Sequence, residues 1–191
     1  IYYSHDGTPQ GYMVYMISSD IMHIKEMIYL NREAQLGLWE YVYAHDSMID
    51  EVHGNNYYSE PIAFELDDSD IKETIRPYAM GRIIDFGQFI SDYACNPKGK
   101  NVTIRFDIED DLLEWNNSEY TVRFKKGACS LTDEEPDYVL QMSIGTLTTL
   151  FMGYKTADKL YNMNRIIGDI KAVEALDNIL YHEIPYVSDY I

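Results

Sequence analysis

Three runs in the second half of the chain alternate apolar and polar residues, with Val139 the one exception. Val102, Ile104, Phe106 and Ile108 alternate with Thr103, Arg105 and Asp107. Tyr120, Val122 and Phe124 alternate with Thr121 and Arg123, and Tyr138, Leu140, Met142 and Ile144 with Val139, Gln141 and Ser143. A period of two over five or more residues dictates a strand with one face on a core and one in water. Residues 115–117 (Trp-Asn-Asn) and Lys126-Gly127 between the runs read as turns. Helical segments follow the strands. One runs over 146–152 and stops at Gly153, one is capped by Thr156, and one covers 169–180. Strands followed by helices predict an α+β layer, an antiparallel sheet with helices on one face.

The first part of the chain has a different order. Residues 1–4 and 10–17 are β-rich runs around His5-Asp6-Gly7-Thr8-Pro9, whose Asp-Gly step signals a tight hairpin. A third apolar run covers 21–30. Asn31 then caps a helix in which Leu36, Trp39, Val42 and Tyr43 recur at helical spacing. Gly54-Asn55-Asn56 closes the block. An acidic stretch at 67–70 and Pro77 place a boundary near residue 76, giving units 1–76 and 77–191. A 76-residue unit with an open sheet edge is marginal alone. With Ile1 at the start, this leads to the expectation that the chain is part of a longer protein.

The formal net charge is −17, from 32 acidic and 15 basic residues. Such a field repels nucleic acid and anionic lipid and concentrates cations. The 18 tyrosines supply apolar area with a polar tip, suited to half-wet clefts and core edges. Cys95 and Cys129 are the only cysteines and stand in no metal or redox spacing, which fits a reducing, cytoplasmic setting. His5, His23, His45, His53 and His182 form no metal-ligand pattern. The run Asp107-Ile108-Glu109-Asp110-Asp111 lacks the glycine of a calcium loop. No run approaches the ~20 apolar residues of a membrane span. Arg82 and Asp85 are expected in a junction strand, as an ion pair or hydrogen-bond anchor at the domain seam.

Four stretches carry a resemblance. They are Gly11-Tyr12-Met13-Val14-Tyr15, Pro77-Tyr78-Ala79-Met80-Gly81-Arg82-Ile83-Ile84-Asp85-Phe86, Leu147-Thr148-Thr149-Leu150-Phe151-Met152-Gly153-Tyr154, and the terminal Asp189-Tyr190-Ile191. In this order and spacing the chain resembles the Eis-like N-acetyltransferases of the GNAT superfamily. Members have a catalytic GNAT domain, a second, degenerate GNAT domain, and a C-terminal domain similar to sterol carrier protein. The resemblance maps residues 1–76 onto a partial, cofactor-free GNAT domain and 77–191 onto the sterol-carrier-like domain.

The resemblance also implies a chemistry. In active GNAT domains a glycine-rich strand-to-helix turn holds the pyrophosphate of acetyl-CoA on backbone N–H groups. The matching turn here, residues 31–37, has one glycine, and Glu33 is expected to face the phosphates and repel them. Acetyl-CoA is therefore assigned to an N-terminal catalytic domain that these residues do not include, and no cofactor to the residues here. The α-carboxylate of Ile191 is implied as the general base on a primary amine, with Asp189 and Tyr190 beside it in substrate binding. A cationic amine substrate and a homo-oligomer complete the expectation. Two alternatives stand beside it: a lipid-binding module of sterol-carrier type, and a non-catalytic assembly domain. Tyr120, Phe124, Tyr138, Phe151 and Tyr161 are bulky enough to fill a lipid tunnel between sheet and helices, which weighs against the first.

Overall fold

The computed structural model describes residues 1–56, 62–65, 71–75, 79–185 and 187. The chain divides into two compact units, residues 1–72 and 73–191.

The first unit is a mixed four-stranded sheet in the order β1(Tyr2–Tyr3), β2(Pro9–Ser18), β3(Ile21–Tyr29), β4(Glu51–Gly54). The first three strands are antiparallel and β4 runs parallel to β3. The Asp-Gly turn joins β1 to β2 with Gly7 at φ 82°. A bulge between Val14 and Tyr15 shifts the β2–β3 register. Helix α1(Arg32–Tyr43) follows β3, and Asn31 caps it by accepting from the Ala34 amide at 2.9 Å. It buries Ala34, Leu38 and Val42. Met22, Ile24 and Val42 form a small core, with Met13, Tyr15, Ile17, Met27 and Trp39 packed on it. A short helix, α2(Ile62–Glu65), was not anticipated from the sequence.

The second unit opens with α3(Phe86–Asp92) and a mixed five-stranded sheet. Its strands are β5(Val102–Glu109), β6(Glu119–Lys125), β7(Ala128–Leu131), β8(Tyr138–Ser143) and β9(Ile167–Gly168), in the spatial order β7-β6-β5-β8-β9. The β6–β7 hairpin turns at Lys126 (φ 51°) and Gly127 (φ 85°), the two left-handed residues a tight two-residue turn requires. Helices α4(Ile144–Phe151), α5(Ala157–Asn162) and α6(Ile170–Ile179) complete the unit. Ser143, Thr156 and Asp169 are their N-caps.

The alternating runs bury one face as expected. Ile104, Phe106, Val122, Phe124 and Leu140 are 0–1% exposed and join the α3, α4 and α6 side chains in one core. The sheet is not wholly antiparallel, however. Strand β8 pairs with β5 in parallel, Ile104 against Tyr138 through Glu109 against Ser143. The cause is the connection: β7 and β8 are joined by a crossover rather than a hairpin. That crossover is pinned to β5 where the Thr103 amide donates to Asp137 Oδ2 and the Asp137 amide to the Thr103 carbonyl. Alternation reports which face is buried and is blind to strand direction.

The expected junction strand is also absent. Residues 79–85 form no strand, and Asp85 is the N-cap of α3, accepting from the Gln88 amide at 2.9 Å.

Candidate functional site

Residues Asp189, Tyr190 and Ile191, the expected base and its neighbours, lie outside the described residues, as do Pro77 and Tyr78 of the junction. What the structure gives is the path toward that terminus and the turn expected to face a cofactor.

The turn after β3 is committed to internal contacts. Glu33 does not face an open anion site; its carboxylate accepts from the Tyr2 hydroxyl at 2.9 Å. A Cβ at Gly37 would overlap the Tyr2 ring, so that glycine serves close packing of β1 on the helix. On the other side of the first turn, the Glu65 carboxylate accepts from Arg32 Nη1 and Gln35 Nε2, both at 2.7 Å. A carboxylate of the protein itself thus neutralises the cation nearest the helix N-terminus.

The junction is anchored through Asp110. Arg82 Nη2 donates to Asp110 Oδ1 at 2.5 Å, and the amides of Leu112 and Leu113 donate to the same oxygen at 3.0 Å. Asn116 donates to Asp110 Oδ2 and to the Ile84 carbonyl, while its own oxygen accepts from the Phe86 amide. Thr148 of α4 accepts from the Ile83 amide. Burial pushes the Asp110 carboxyl up, but the two amides, Asn116 and Arg82 outweigh it and hold it well below the usual carboxylate range. Four donors on this carboxylate make it a poor base. Arg82 and Asp85 therefore do act as anchors, but with Asp110 and the α3 amides rather than with each other.

The approach to the C-terminus runs over the end of α4. Gly153 (φ 74°) follows that helix, and a Cβ there would lie 2.5 Å from the Glu183 carbonyl oxygen. Asp177 accepts from the Ala157 and Asp158 amides, and His182 Nε2 is 2.7 Å from the Asp177 carbonyl. Residues 181–183 are thus laid against the α4–α5 corner.

Other candidate chemistries find little support. Cys95 and Cys129 are buried free thiols, and burial together with the neighbouring Cys95 pushes the Cys129 thiol up, away from the thiolate. Among the described residues no group of three or more His, Cys, Asp or Glu could hold a metal ion, and no helix is long and apolar enough to cross a membrane. An open, polar cleft is lined by Glu119, Tyr120, Thr121, Leu131, Thr132 and Asp133. Between sheet and helices, Phe86, Phe106, Phe124 and Phe151 are 0–3% exposed and meet edge to face, and Tyr120, Tyr138 and Tyr161 pack against them.

Comparison with known proteins adds the family. Residues 1–83 match the acetyltransferase (GNAT) domain and residues 86–188 the sterol carrier protein domain. A conserved protein of Enterococcus faecalis V583, described as a probable N-acyltransferase, is 28% identical, with a TM-score of 0.90 over 100% of this chain and 49% of its own. The GCN5-related N-acetyltransferase of Anabaena variabilis (21% identity, TM-score 0.76) aligns over 96% of this chain and 48% of its own. Eis1 of Mycobacterium abscessus (17%, TM-score 0.73) aligns over 96% and 49%. The latter two share the fold. The chain spans about half the length of these relatives. No curated protein matches it. A sterol carrier protein domain covers more than half of the residues, so the chain belongs to that domain family, with a match to the acetyltransferase (GNAT) domain preceding it.

Proposed function

We propose that these residues serve an N-acyltransferase that moves acetyl from acetyl-CoA to a primary amine of a cationic substrate. The observation that carries this reading is the match over the whole chain, at a TM-score of 0.90, to the Enterococcus faecalis protein described as a probable N-acyltransferase. Acetyl-CoA belongs to a catalytic domain beyond these residues. The turn at 31–37 supports this assignment, because Tyr2, Glu33 and Glu65 fill the space around the helix start. The residues here supply the scaffold, part of an acidic substrate cleft, and the base. An amine reaches a thioester only after losing a proton, so a base must stand within hydrogen-bond reach of it. The α-carboxylate of Ile191 takes that proton, with Asp189 and Tyr190 holding the substrate beside it.

The test is steady-state acetylation by the full-length enzyme with a short extension after Ile191. An amide at that position carries no charge and accepts no proton, so turnover should fall by about 10²–10⁴, with the melting temperature unchanged. Near-native turnover in the extended enzyme would remove Ile191 from the mechanism. The lipid-module alternative is disfavoured by the aromatic packing between sheet and helices. Stoichiometric co-purification of a fatty acid or sterol would revive it.

A further inference from the structure

The chain has two cysteines in 191 residues, and the fold brings them together. Cys95 lies in the connection between α3 and β5, and Cys129 in β7. Ala94 and Ala128 form an isolated antiparallel bridge, and the Cys95 amide donates to the Gly127 carbonyl at 3.1 Å. Each cysteine is one step from that bridge, so the two are diagonal neighbours on one face. Their side chains meet, the two thiols being hydrogen-bonded to each other. Both sulfurs also lie near enough to the Tyr93 hydroxyl to disfavour its ionised form. Cys95 is 3% and Cys129 7% exposed.

Packing alone would be served by any two small apolar side chains. Two thiols in contact add a chemistry, because a single two-electron oxidation joins them covalently. The S–S bond is about 2 Å long, shorter than a thiol–thiol contact, so one backbone must move in. Cys129 is fixed, since β7 pairs with β6 from Val122 against Leu131 to Lys125 against Ala128. Cys95 can move, because one isolated bridge rather than a ladder ties its segment to β7. A segment held by so few backbone bonds opens at low cost, which also lets a small oxidant reach the sulfur.

We propose that Cys95 and Cys129 are a modification site at which hydrogen peroxide closes a disulfide, stapling the α3–β5 connection to β7. Burial and its bond to Cys95 hold Cys129 as the thiol, so the first attack falls to Cys95. The Cys95 sulfur, its proton given up to water, takes one oxygen of the peroxide. The O–O bond breaks, hydroxide leaves, and Cys95 becomes a sulfenic acid. The Cys129 sulfur then attacks the Cys95 sulfur. The S–S bond forms, the S–O bond breaks, and the departing hydroxide takes the Cys129 proton to leave as water. Two electrons pass from the sulfurs to the peroxide, and two waters are formed. Excess thiol reverses the bond by exchange, so a reducing setting restores the open form. The closed form links the chain across β5 and β6, which restricts the unfolded state and so favours the fold. The inference is independent of the acyl-transfer reading.

The test treats the folded 191-residue chain with a small excess of hydrogen peroxide. After quenching and denaturation both sulfurs should resist alkylation, and the mass should fall by two hydrogens. A proteolytic digest should yield the peptides of Cys95 and Cys129 joined to each other. The thermal midpoint should rise by roughly 5–10 °C and return with dithiothreitol. In Cys95→Ser and in Cys129→Ser, peroxide should leave the midpoint where it was. The wild-type digest decides the matter even where a serine variant folds poorly. Two alkylatable thiols after treatment overturn the proposal, as does one sulfur carried on to sulfinic acid while the other stays free. Disulfide-linked dimers, or a Cys95–Cys129 bond that appears only in urea, also overturn it, because the folded pair is then not the reacting species. An internal disulfide that leaves the midpoint unchanged would remove the staple.

Discussion

Arg82 Nη2 lies 2.5 Å from Asp110 Oδ1, and the Asp110 side chain is 1% exposed. This pair fixes how the junction meets the second sheet, because Asp110 sits at the end of β5 and Arg82 on the approach to α3. Removing Asp110 leaves the guanidinium, two loop amides and Asn116 without their acceptor. Asp110→Ala should therefore cost about 3–5 kcal/mol, the range for breaking a buried pair on one side. Urea unfolding checks this. A loss below 1 kcal/mol would mean that water replaces the carboxylate.

The same residue sets an acid limit. The folded Asp110 carboxyl titrates below its unfolded value of ~3.9. A depressed folded value contributes stability that is fully present above the unfolded value and is lost as pH falls toward the folded one. Its contribution should thus be constant from pH 7 to about 5 and decline below pH 4. Thermal melts between pH 5 and 2.5 should fall less steeply in Asp110→Asn than in wild type. Parallel curves would assign the acid lability elsewhere.

Gly37 and Tyr2 make a sharper test. In an open helix interior, glycine to alanine gains about 1 kcal/mol of helix propensity. Here the new methyl would overlap the Tyr2 ring, so the sign should invert. Gly37→Ala should destabilise by about 1–3 kcal/mol, the range for overpacking. In a Tyr2→Ala background it should stabilise instead. Additivity of the two changes would show that the glycine is there for another reason, including a ligand.

Much of this architecture was legible in the residues. The caps at Asn31, Thr156 and Asp169 announce themselves because a side-chain acceptor directly before an apolar repeat satisfies a free helix amide. The buried face of β5, β6 and β8 follows from period-two alternation. Strand direction does not, since Thr103 and Asp137 find each other only in the folded chain. Helix α3 was not anticipated from the sequence, although its start left a signal. Asp85 followed by Phe86, Phe89 and Ile90 is a cap and an i, i+3, i+4 apolar stripe, masked by Gly87 and by the apolar Ile83-Ile84 before it. The partnership of Arg82 with Asp110 spans 28 residues, and no local pattern encodes it. The expected base at Ile191 rested on resemblance alone, because a terminal carboxylate has no sequence signature of its own.

Acetyl-CoA should not bind the 191-residue chain. The turn at 31–37 has one glycine, and that glycine receives Tyr2, while Arg32 is paired with Glu65 at 2.7 Å. Isothermal titration with acetyl-CoA should give no heat at tens of micromolar protein. Micromolar binding would show that these internal contacts yield to the cofactor.

Gly153 connects the fold to the proposed chemistry. Its φ of 74° lies in the left-handed region, where a side chain costs about 1 kcal/mol, and an added methyl would lie 2.5 Å from the Glu183 carbonyl oxygen. The backbone at 181–183 must then move away from the α4–α5 corner. That stretch ends eight residues before Ile191, the proposed base, so the variant tests whether the two are coupled. Gly153→Ala in the full-length enzyme should lower kcat by tenfold or more while changing KM for acetyl-CoA little, because the proposed acetyl-CoA site lies elsewhere. A misplacement of about 1 Å is enough for an effect of this size. A melt run beside the kinetics separates the two roles. A lower melting temperature with kcat intact would make Gly153 a helix terminator only, and equal losses in kcat and acetyl-CoA affinity would place the defect in the whole domain rather than in the path to Ile191.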